Sequence, residues 1–274
     1  MSLALAGRSR STFSFAHADA PPVVVHVCVP PTLSSRTGVT FVLHGKLRNA
    51  AEYLEPWVPW AAEADQIVLA PCFDREGWPG GRGYNLGNVF SGSGRRLPER
   101  QWAFTVVEAL HERTREDFGL DDEQFALWGH SAGGQFVHRF LLLKPRAQVR
   151  VAIASGCGWF TVPDLDVGFP YGLRHPALPF TDEHARALVQ KPLVLMRATL
   201  DTIRDSDLRT THRADAQGCN RYVRAGHMHA AGKAIDAGSP WRLLDVPGVG
   251  HDGARMALAA QRTGLLERPR HGPA

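Results

Sequence analysis

One serine stands in a pattern that suits nucleophilic chemistry. The run Gly129-His130-Ser131-Ala132-Gly133 is a G-x-S-x-G sequence that follows a strand-like run and precedes a helical one. In that context the sharp turn holds the serine hydroxyl above the end of the strand, and the glycines permit the close approach of the helix. The positive end of the helix dipole favours negative charge at the same place. Although so short a pattern also arises by chance, its context predicts that Ser131 is a nucleophile.

A serine hydroxyl is a weak nucleophile, so it needs a base, and the base needs a carboxylate to orient it. His251 ends the run WRLLDVPGVGH, and Asp201 ends the run PLVLMRATLD. Both follow strand-like runs, and the chain order is serine, acid, histidine, as this type of site requires. We expect His251 to be the base and Asp201 the acid. The alternative for His251 is that it only caps the helix that begins after it.

Three further carboxylates lie close to these candidates. Asp205 and Asp207 follow Asp201 within six residues, and both are expected to be turn or N-cap residues of the next helix. Asp252, next to His251, is also expected to be a helix cap. Asp201 is preferred as the acid because it stands at the end of the strand-like run, and Asp205 and Asp207 remain the alternatives.

The negatively charged oxygen of a tetrahedral intermediate needs two backbone N–H donors. Ala132, the residue after the nucleophile, is the expected source of one. The other is expected from the loop His44-Gly45-Lys46, where the glycine lets the backbone approach the substrate. The donor there is the backbone N–H of Lys46 and not its ammonium group. His44 resembles a catalytic base, but its place before the glycine favours a supporting role behind the site.

The sequence gives little support for a metal site or a cofactor site. His227 and His229 are two residues apart and would not share a helix face, and no H-E-x-x-H or Cys/His cluster is present. The Gly-rich stretch 80–94 has no Walker lysine. We therefore expect neither a metal nor a cofactor.

The charge pattern does not suggest a nucleic-acid partner. The formal net charge is +4 and the isoelectric point is about 9.1. The four lysines and the arginines are spread along the whole chain, and the longest basic run is Arg95-Arg96. Nucleic-acid-binding proteins usually concentrate charge on one face or in one run, so we expect an arginine-rich surface and no nucleic-acid partner.

The elements that would position these residues alternate between strands and helices. TFSFA and VVVHVCVP are expected to pair antiparallel, followed by the strand-like runs GVTFVLHG, QIVLAPCF, QFALWGHS, VRVAIASG, PLVLMRATLD and WRLLDVPGVGH. Continuous apolar runs are typical of parallel strands that are buried on both faces. Helical patterns stand between them, at 53–64, from about 101, at 132–143, from about 208 to 238 and after 251. This predicts a single doubly wound α/β domain over residues 1–274.

Two long segments interrupt the alternation. The first is the Gly-rich loop from Asp74 to Arg100, and loops of this length in a compact domain are usually functional or disordered. The second, at 158–190, is rich in proline and aromatic residues and is expected to form a small lid or pocket wall. Substrate contacts are expected from aromatic residues of both segments, and simple packing against the body is the alternative for each. The candidates are Trp159, Phe160, Tyr171, Trp78 and Tyr84.

The composition limits the classes of protein to which the chain can belong. The chain has 274 residues, of which 44% are hydrophobic and 21% charged, as is typical of a soluble globular protein. No apolar run reaches the roughly 18 residues needed to span a bilayer. The N-terminus lacks the apolar core of a signal peptide, which favours a cytoplasmic over a secreted location. The four cysteines have no C-x-x-C spacing and mostly suit small core positions, although one disulfide is possible if the protein is exported.

The sequence resembles the α/β-hydrolase superfamily over nearly the whole chain. Within it, the sequence is similar to bacterial serine esterases of the poly(3-hydroxybutyrate) depolymerase-like and feruloyl-esterase-like branch. The resemblance implies a mostly parallel sheet with an antiparallel N-terminal pair, a Ser131–His251–Asp201 triad and an oxyanion hole formed by Lys46 and Ala132. The sequence has a single glycine where many lipases have HGGG, which weakens any argument for bulky tertiary-alcohol esters. The matching segments are FVLHGKLRNAAEYLEPW, GYNLGNV, GHSAGGQFVHRFLL, GWFTVPD, FPYGL and VPGVGHDGARM.

The expected function is hydrolysis of carboxylic esters through an acyl-enzyme, with a small-molecule or polymeric ester as substrate. A polyester depolymerase, or an amidase or peptidase with the same triad, is the alternative. A non-catalytic binding protein on the same fold is a third possibility, but such proteins usually lose the nucleophile or the base. The oligomeric state is left open by the sequence.

Overall fold

A single sheet of eight strands organises the residues that the computed structural model describes, 10–268. The spatial order of the strands is first, second, fourth, third, fifth, sixth, seventh, eighth. In chain order they are β1 Arg10–Phe15, β2 Val23–Cys28, β3 Gly38–Leu43, β4 Gln66–Cys72, β5 Phe125–His130, β6 Val149–Ser155, β7 Leu193–Ala198 and β8 Arg242–Val246.

The pairing directions agree with the expected architecture. β1 and β2 are antiparallel, and β2 is antiparallel to β4. From β4 to β8 all neighbouring strands are parallel. The predicted fold class, a mostly parallel doubly wound sheet with an antiparallel N-terminal pair, is confirmed. Because the parallel strands share one direction, their carboxyl ends form a single edge of the sheet.

Helices cover both faces of this sheet. In chain order they are α1 Ala50–Leu54, α2 Val58–Glu63, α3 Gly80–Gly83, α4 Ala103–Phe118, α5 Ala132–Leu143, α6 Asp182–Val189, α7 His212–Asp215, α8 Arg221–Ile235 and α9 Gly253–Gln261. Apolar side chains of α4, α5, α6 and α8 pack against one face, and those of α1, α2 and α9 pack against the other. Alternate residues of β3, such as Phe41 and Val42, contribute to opposite layers. The central strands β3 to β7 are therefore buried on both sides, which explains their continuous apolar sequences.

Two of the predicted helices are divided. The pattern at 53–64 becomes α1, a 3-10 turn at Glu55–Trp57 and then α2, because Pro56 and Pro59 each stand at a position that begins a new helical segment. The stretch expected from about 208 to 238 becomes α7 and α8. Thr211 and Asn220 each accept a hydrogen bond from a backbone N–H of the helix that follows, so each begins a separate helix.

The two long segments are ordered against the body. In the Gly-rich loop 74–100, the side chains of Trp78, Tyr84 and Val89 are buried in the main apolar cluster. In the segment 158–190, the side chain of Gln217 both donates to the backbone of Phe160 and accepts from it, at 2.8 Å in each case. The segment also contains α6, which the sequence pattern did not indicate. Residues 158–190 are therefore packed against the body of the domain.

The cysteines and the surface add two observations. All four cysteines are free thiols; Cys28 and Cys157 are buried, Cys72 is half-buried and Cys219 is exposed. Among the helices of residues 10–268, none combines the length and the apolar character that crossing a membrane requires.

Burial of four histidines makes the fold sensitive to acid. His44, His111, His130 and His138 are all buried, and desolvation lowers the pKa of His44 to about 3, lowers that of His111 to about 4 and lowers the other two well below the usual value. The unfolded chain therefore binds more protons below pH 6.5. Stability is fully present above that pH and falls as the pH drops from about 6.5 towards 4, by about 1.4 kcal/mol per pH unit for each histidine.

Urea unfolding at several pH values between 5 and 7 measures this slope. The variant His111→Gln should reduce the slope by about one histidine's share, and His227→Gln, at an exposed position, serves as the control. If the urea concentration at half unfolding did not decrease when the pH was lowered from 7 to 5, these histidines would be protonated in the folded protein.

Candidate active site

The turn between β5 and α5 holds Ser131 in an unusual backbone conformation. Its φ is 57° and its ψ is −116°, a combination that is strained for a residue with a side chain. The neighbouring glycines make the turn possible. A Cβ at Gly129 would lie 2.4 Å from the carbonyl carbon of Gly133, and one at Gly133 would lie 2.0 Å from the carbonyl oxygen of Leu43. No other residue type fits at these two positions without a shift of the backbone.

Three of the predicted residues form one hydrogen-bonded chain. The Nε2 atom of His251 lies 3.1 Å from the Oγ of Ser131, and its Nδ1 lies 2.7 Å from the Oδ2 of Asp201. Because a carboxylate only accepts, Nδ1 carries the proton in the neutral ring, and Nε2 is free to accept from the serine hydroxyl. Asp201 is 3% exposed, whereas 26% of the His251 side chain is exposed. This arrangement can move a proton between the hydroxyl and the imidazole.

An arginine that the sequence analysis did not single out joins the acid to a second carboxylate. The buried Arg221 donates to Oδ1 of Asp201 at 3.3 Å and makes two 2.8 Å bonds to the carboxylate of Asp205. These bonds, above all the side-chain hydrogen bond from Arg221, lower the pKa of Asp205 to about 2. Both oxygens of Asp201 are therefore bonded, one to His251 and one to Arg221. Nothing in the sequence around position 221 distinguishes this arginine from the many others.

The remaining carboxylates have structural partners. Asp205 accepts from the backbone N–H groups of Asp207 and Leu208, and Asp252 accepts from that of Arg255 at the start of α9. The prediction of a turn residue and a helix cap is confirmed for these two. Asp207 lies in the same turn, as predicted, and its carboxylate forms an ion pair with the ammonium group of Lys46.

His44 anchors the loop that follows β3. Its Nε2 accepts the backbone N–H of Phe73 at 3.1 Å, so its Nδ1 carries the proton and donates to the carbonyl of Gly45 at 2.9 Å. The hydroxyl of Tyr84 donates to the His44 carbonyl at 2.7 Å. Burial lowers the pKa of His44 to about 3, which keeps the ring neutral. Both ring nitrogens are occupied, so His44 supports the loop and has no free nitrogen for a proton transfer.

Two backbone N–H groups beside Ser131 have no protein partner. Within residues 10–268, neither Lys46 nor Ala132 donates its backbone N–H to a protein acceptor. Both residues line a cleft of about 350 Å³, and a Cβ built on Gly45 would lie 4.0 Å from the Cβ of Ser131. The structure thus brings the two predicted donors to one cleft, next to the turn that holds the serine.

The fold is shared with solved structures of hydrolases. Poly(aspartic acid) hydrolase-1 from Sphingomonas sp. KT-1 is 34% identical, with a TM-score of 0.89, and the match covers 93% of this chain and 97% of that one. The poly(3-hydroxybutyrate) depolymerase LpqC from Bordetella parapertussis is 33% identical, with a TM-score of 0.87, and the match covers 95% and 91% of the two chains. The chain belongs to the α/β-hydrolase superfamily. The resemblance to its depolymerase-like serine esterases, inferred above from the motifs, is confirmed, and the chain is an enzyme of the hydrolase class.

More distant solved structures share only the fold of this α/β-hydrolase. The siderophore hydrolase EstB from Aspergillus nidulans is 18% identical, with a TM-score of 0.57, and the match covers 97% of this chain and 98% of that one. No family model and no curated protein sequence matches the chain.

His130, the variable residue of the G-x-S-x-G motif, lies against the imidazole of His251. The two ring centroids are 4.6 Å apart, and Nδ1 of His130 lies 3.1 Å from the Oγ of Ser155. Complete burial, with a smaller contribution from His251, lowers the pKa of His130 well below its usual value. In this α/β-hydrolase a neutral ring therefore packs beside the proposed base. The motif places the residue but carries no signal of this contact.

The five aromatic candidates for substrate contact are all buried, but their neighbours differ. Tyr84 is buried but lines the cleft beside Ala132. Trp78 and Phe160 are in the main apolar core, where they have almost no exposed surface to offer a substrate, so packing explains them. Trp159 and Tyr171 pack against each other with ring centroids 4.7 Å apart, in a small cluster of their own. A single sequence cannot show which way such rings point from a loop, so only the structure shows that Tyr84 reaches the cleft.

The histidines on α8 do not form a ligand pair. His227 is exposed, and Nε2 of His229 lies 3.2 Å from the carbonyl oxygen of Trp241. Across the part of the chain that the structure describes, no three His, Cys, Asp or Glu side chains converge in a way that could hold a metal ion.

Proposed function

We propose that this α/β-hydrolase is a serine hydrolase that cleaves carboxylic esters through an acyl-enzyme. The observation that carries the proposal is the continuous hydrogen-bonded chain from Ser131 through His251 to Asp201. It lies at the carboxyl edge of the parallel strands, where ligands bind in sheets of this kind.

In the acylation step, the Oγ of Ser131 attacks the ester carbonyl while its proton passes to Nε2 of His251. The carbonyl oxygen becomes negatively charged and is held by the backbone N–H groups of Lys46 and Ala132, which have no competing protein acceptor within residues 10–268. The carbon–oxygen bond to the alcohol then breaks, and His251 returns the proton to the departing alkoxide. The products of this step are the free alcohol and an ester of Ser131.

In the deacylation step, water replaces the alcohol. His251 takes a proton from the water, the hydroxide attacks the acyl-serine, and the proton returns to Oγ as the acid leaves. Asp201 stabilises the imidazolium that forms twice in the cycle and holds the ring in the required tautomer. Arg221 binds the other oxygen of that carboxylate at 3.3 Å, so the ring is positioned by a carboxylate that is itself held in place.

A second candidate activity is the hydrolysis of a polymer. The two similar structures are described as a poly(aspartic acid) hydrolase and a poly(3-hydroxybutyrate) depolymerase, so one is named for a polyamide and the other for a polyester. The same serine, histidine and acid would serve in either case. The difference lies in the leaving group, because an amine must be protonated before it departs and an alkoxide is a better leaving group.

The acyl-enzyme is tested by rapid mixing with 4-nitrophenyl butanoate. We expect a burst of 4-nitrophenolate equal to about one molecule per active site, and a mass increase of one butanoyl group on the peptide that contains Ser131. Steady release without a burst, together with unmodified protein when deacylation is slowed at low pH, would contradict the covalent intermediate. A panel of acyl-chain lengths, aryl amides, poly(3-hydroxybutyrate) and poly(aspartic acid) then ranks ester, amide and polymer substrates.

A further inference from the structure

The cleft beside Ser131 is lined by cationic residues. Lys46, Arg48 and Arg75 all line it, and no carboxylate is among the lining residues within 10–268. The other lining residues are Leu47, Gly80, Gly81, Tyr84, Asn85 and Ala132. Since Lys46 and Ala132 are the proposed oxyanion donors, a group bound in this cleft would lie next to the carbonyl that Ser131 attacks.

The three cations are held differently. Arg48 donates to the carbonyl oxygens of Phe73, Trp78 and Gly80 and stacks on the ring of Tyr84 at 4.4 Å, so its charge is fixed in the cleft wall. Lys46 is paired with Asp207. Arg75 is exposed, and its one hydrogen bond to the described part of the chain is a long one, 3.4 Å, to the carbonyl oxygen of Lys46. Within residues 10–268, Arg75 forms no ion pair with a carboxylate.

A fourth cation lies behind the cleft wall. Arg139 is fully buried and bonds to the carbonyl of Asn85 at 3.0 Å, to the side chain of Thr161 and to the carbonyl of Gln135. No carboxylate of the described residues pairs with it, and its Nη2 has no protein partner. Burial lowers its pKa to about 9, so it stays protonated at neutral pH. An unbalanced buried cation raises the positive potential around it more than a solvated one does.

We propose that this cleft binds a carboxylate group of the substrate, with Arg75 as its exposed partner and Lys46 as a second partner when it leaves Asp207. The proposal rests on the proposed function, because it places the carboxylate beside the ester that Ser131 attacks. The preferred substrates are accordingly esters that carry a free carboxylate near the scissile bond.

Matched substrate pairs test this selectivity on both sides of the ester bond. On the acyl side, the mono-4-nitrophenyl ester of adipic acid is compared with methyl 4-nitrophenyl adipate. On the alcohol side, 4-carboxyphenyl butanoate is compared with 4-carbamoylphenyl butanoate. The quantity measured is the ratio of kcat/KM for the anionic member to that for the neutral member. In at least one pair the ratio should fall as salt is added, because ions screen the attraction.

Two substitutions should move the ratio in opposite directions. Arg75→Gln should lower it about 5-fold, as expected for loss of one charge-assisted contact at an exposed position. Asp207→Asn should raise it about 3-fold, because Lys46 is no longer neutralised by its partner. The control is Arg242→Gln, which removes an exposed arginine at the amino end of β8, the opposite edge of the sheet, and should leave the ratio unchanged.

Three results would overturn the proposal. They are a ratio that is insensitive to salt in both pairs, an Arg75→Gln ratio equal to that of the parent enzyme, or an Asp207→Asn ratio that falls. Each can occur while the neutral esters are still cleaved through Ser131, so failure of the carboxylate subsite is separate from failure of the proposed function. The melting temperature of each variant shows whether a loss of activity on the neutral esters is caused by misfolding.

Discussion

Ser131→Ala should lower kcat/KM for 4-nitrophenyl butanoate by a factor of about 10⁴–10⁶, since it removes the atom that attacks the substrate. The fold should survive, because the one hydrogen bond of the Ser131 hydroxyl is to His251, and the turn is held by backbone contacts. Its N–H donates to Ser155 at 2.9 Å, and its carbonyl accepts from Gln135 at 3.1 Å. The melting temperature should therefore shift by no more than about 3 °C. Initial rates and thermal melts on the same preparation measure both quantities.

The matched control is Ser93→Ala, which removes an exposed hydroxyl whose partner is Ser91 on the Gly-rich loop. It should retain the parent activity. If Ser131→Ala hydrolysed the ester at the rate of the Ser93 variant, the serine would not be the nucleophile. The proposed mechanism would then be abandoned even though the fold is unchanged.

Asp201→Asn should have the second largest effect, a loss of about 10³–10⁴ in kcat. An amide at this position can donate a proton to His251, which favours the tautomer in which Nε2 carries the proton and cannot accept one from Ser131. The negative charge that stabilises the imidazolium is lost as well. The change also leaves Arg221 with one carboxylate instead of two. Steady-state kinetics at pH 8, together with a full pH–rate profile, separate a lost base from a lost fold.

Asp205→Asn is the natural comparison, because Asp205 lies on the same loop and shares Arg221 with Asp201. We expect it to reduce kcat less than tenfold, since the contact between His251 and Asp201 is untouched. If the ranking of the two variants were reversed, Asp205 would be the functional acid. The 2.7 Å hydrogen bond between His251 and Asp201 would then be structural only.

The placement of Ser131, Asp201 and His251 could be predicted from the sequence because it depends on local patterns. The G-x-S-x-G run is a turn whose geometry is dictated by Gly129 and Gly133. The other two residues end strand-like runs whose parallel direction brings their carboxyl ends to one edge. The central strands β3 to β7 were recognisable because burial on both faces leaves continuous apolar sequences. The division of the helix at 53–64 was also readable in principle, because Pro56 and Pro59 both lie inside it.

Contacts between distant parts of the chain could not be predicted in this way. Arg221 reaches Asp201 across 20 residues, and His130 meets His251 across 121, and no spacing rule links either pair. The pairing of Lys46 with Asp207 likewise depends on where two loops happen to meet. Long, charged side chains can form hydrogen bonds with many different partners. The partner of each is therefore known only when the backbone positions are known.

The hydrogen bonds around His44 have a consequence for how charge is handled during turnover. The neutral imidazole of His44 joins the loop after β3 to Phe73 at the end of β4. The hydroxyl of Tyr84 donates a third hydrogen bond to the same loop. The backbone N–H groups of a loop held in this way cannot reorient when a negative charge forms. They do not need to reorient if they already point towards that charge. The ordering of the loop then takes place once, when the chain folds. Little reorganisation energy remains to be supplied each time a negatively charged oxygen forms and disappears.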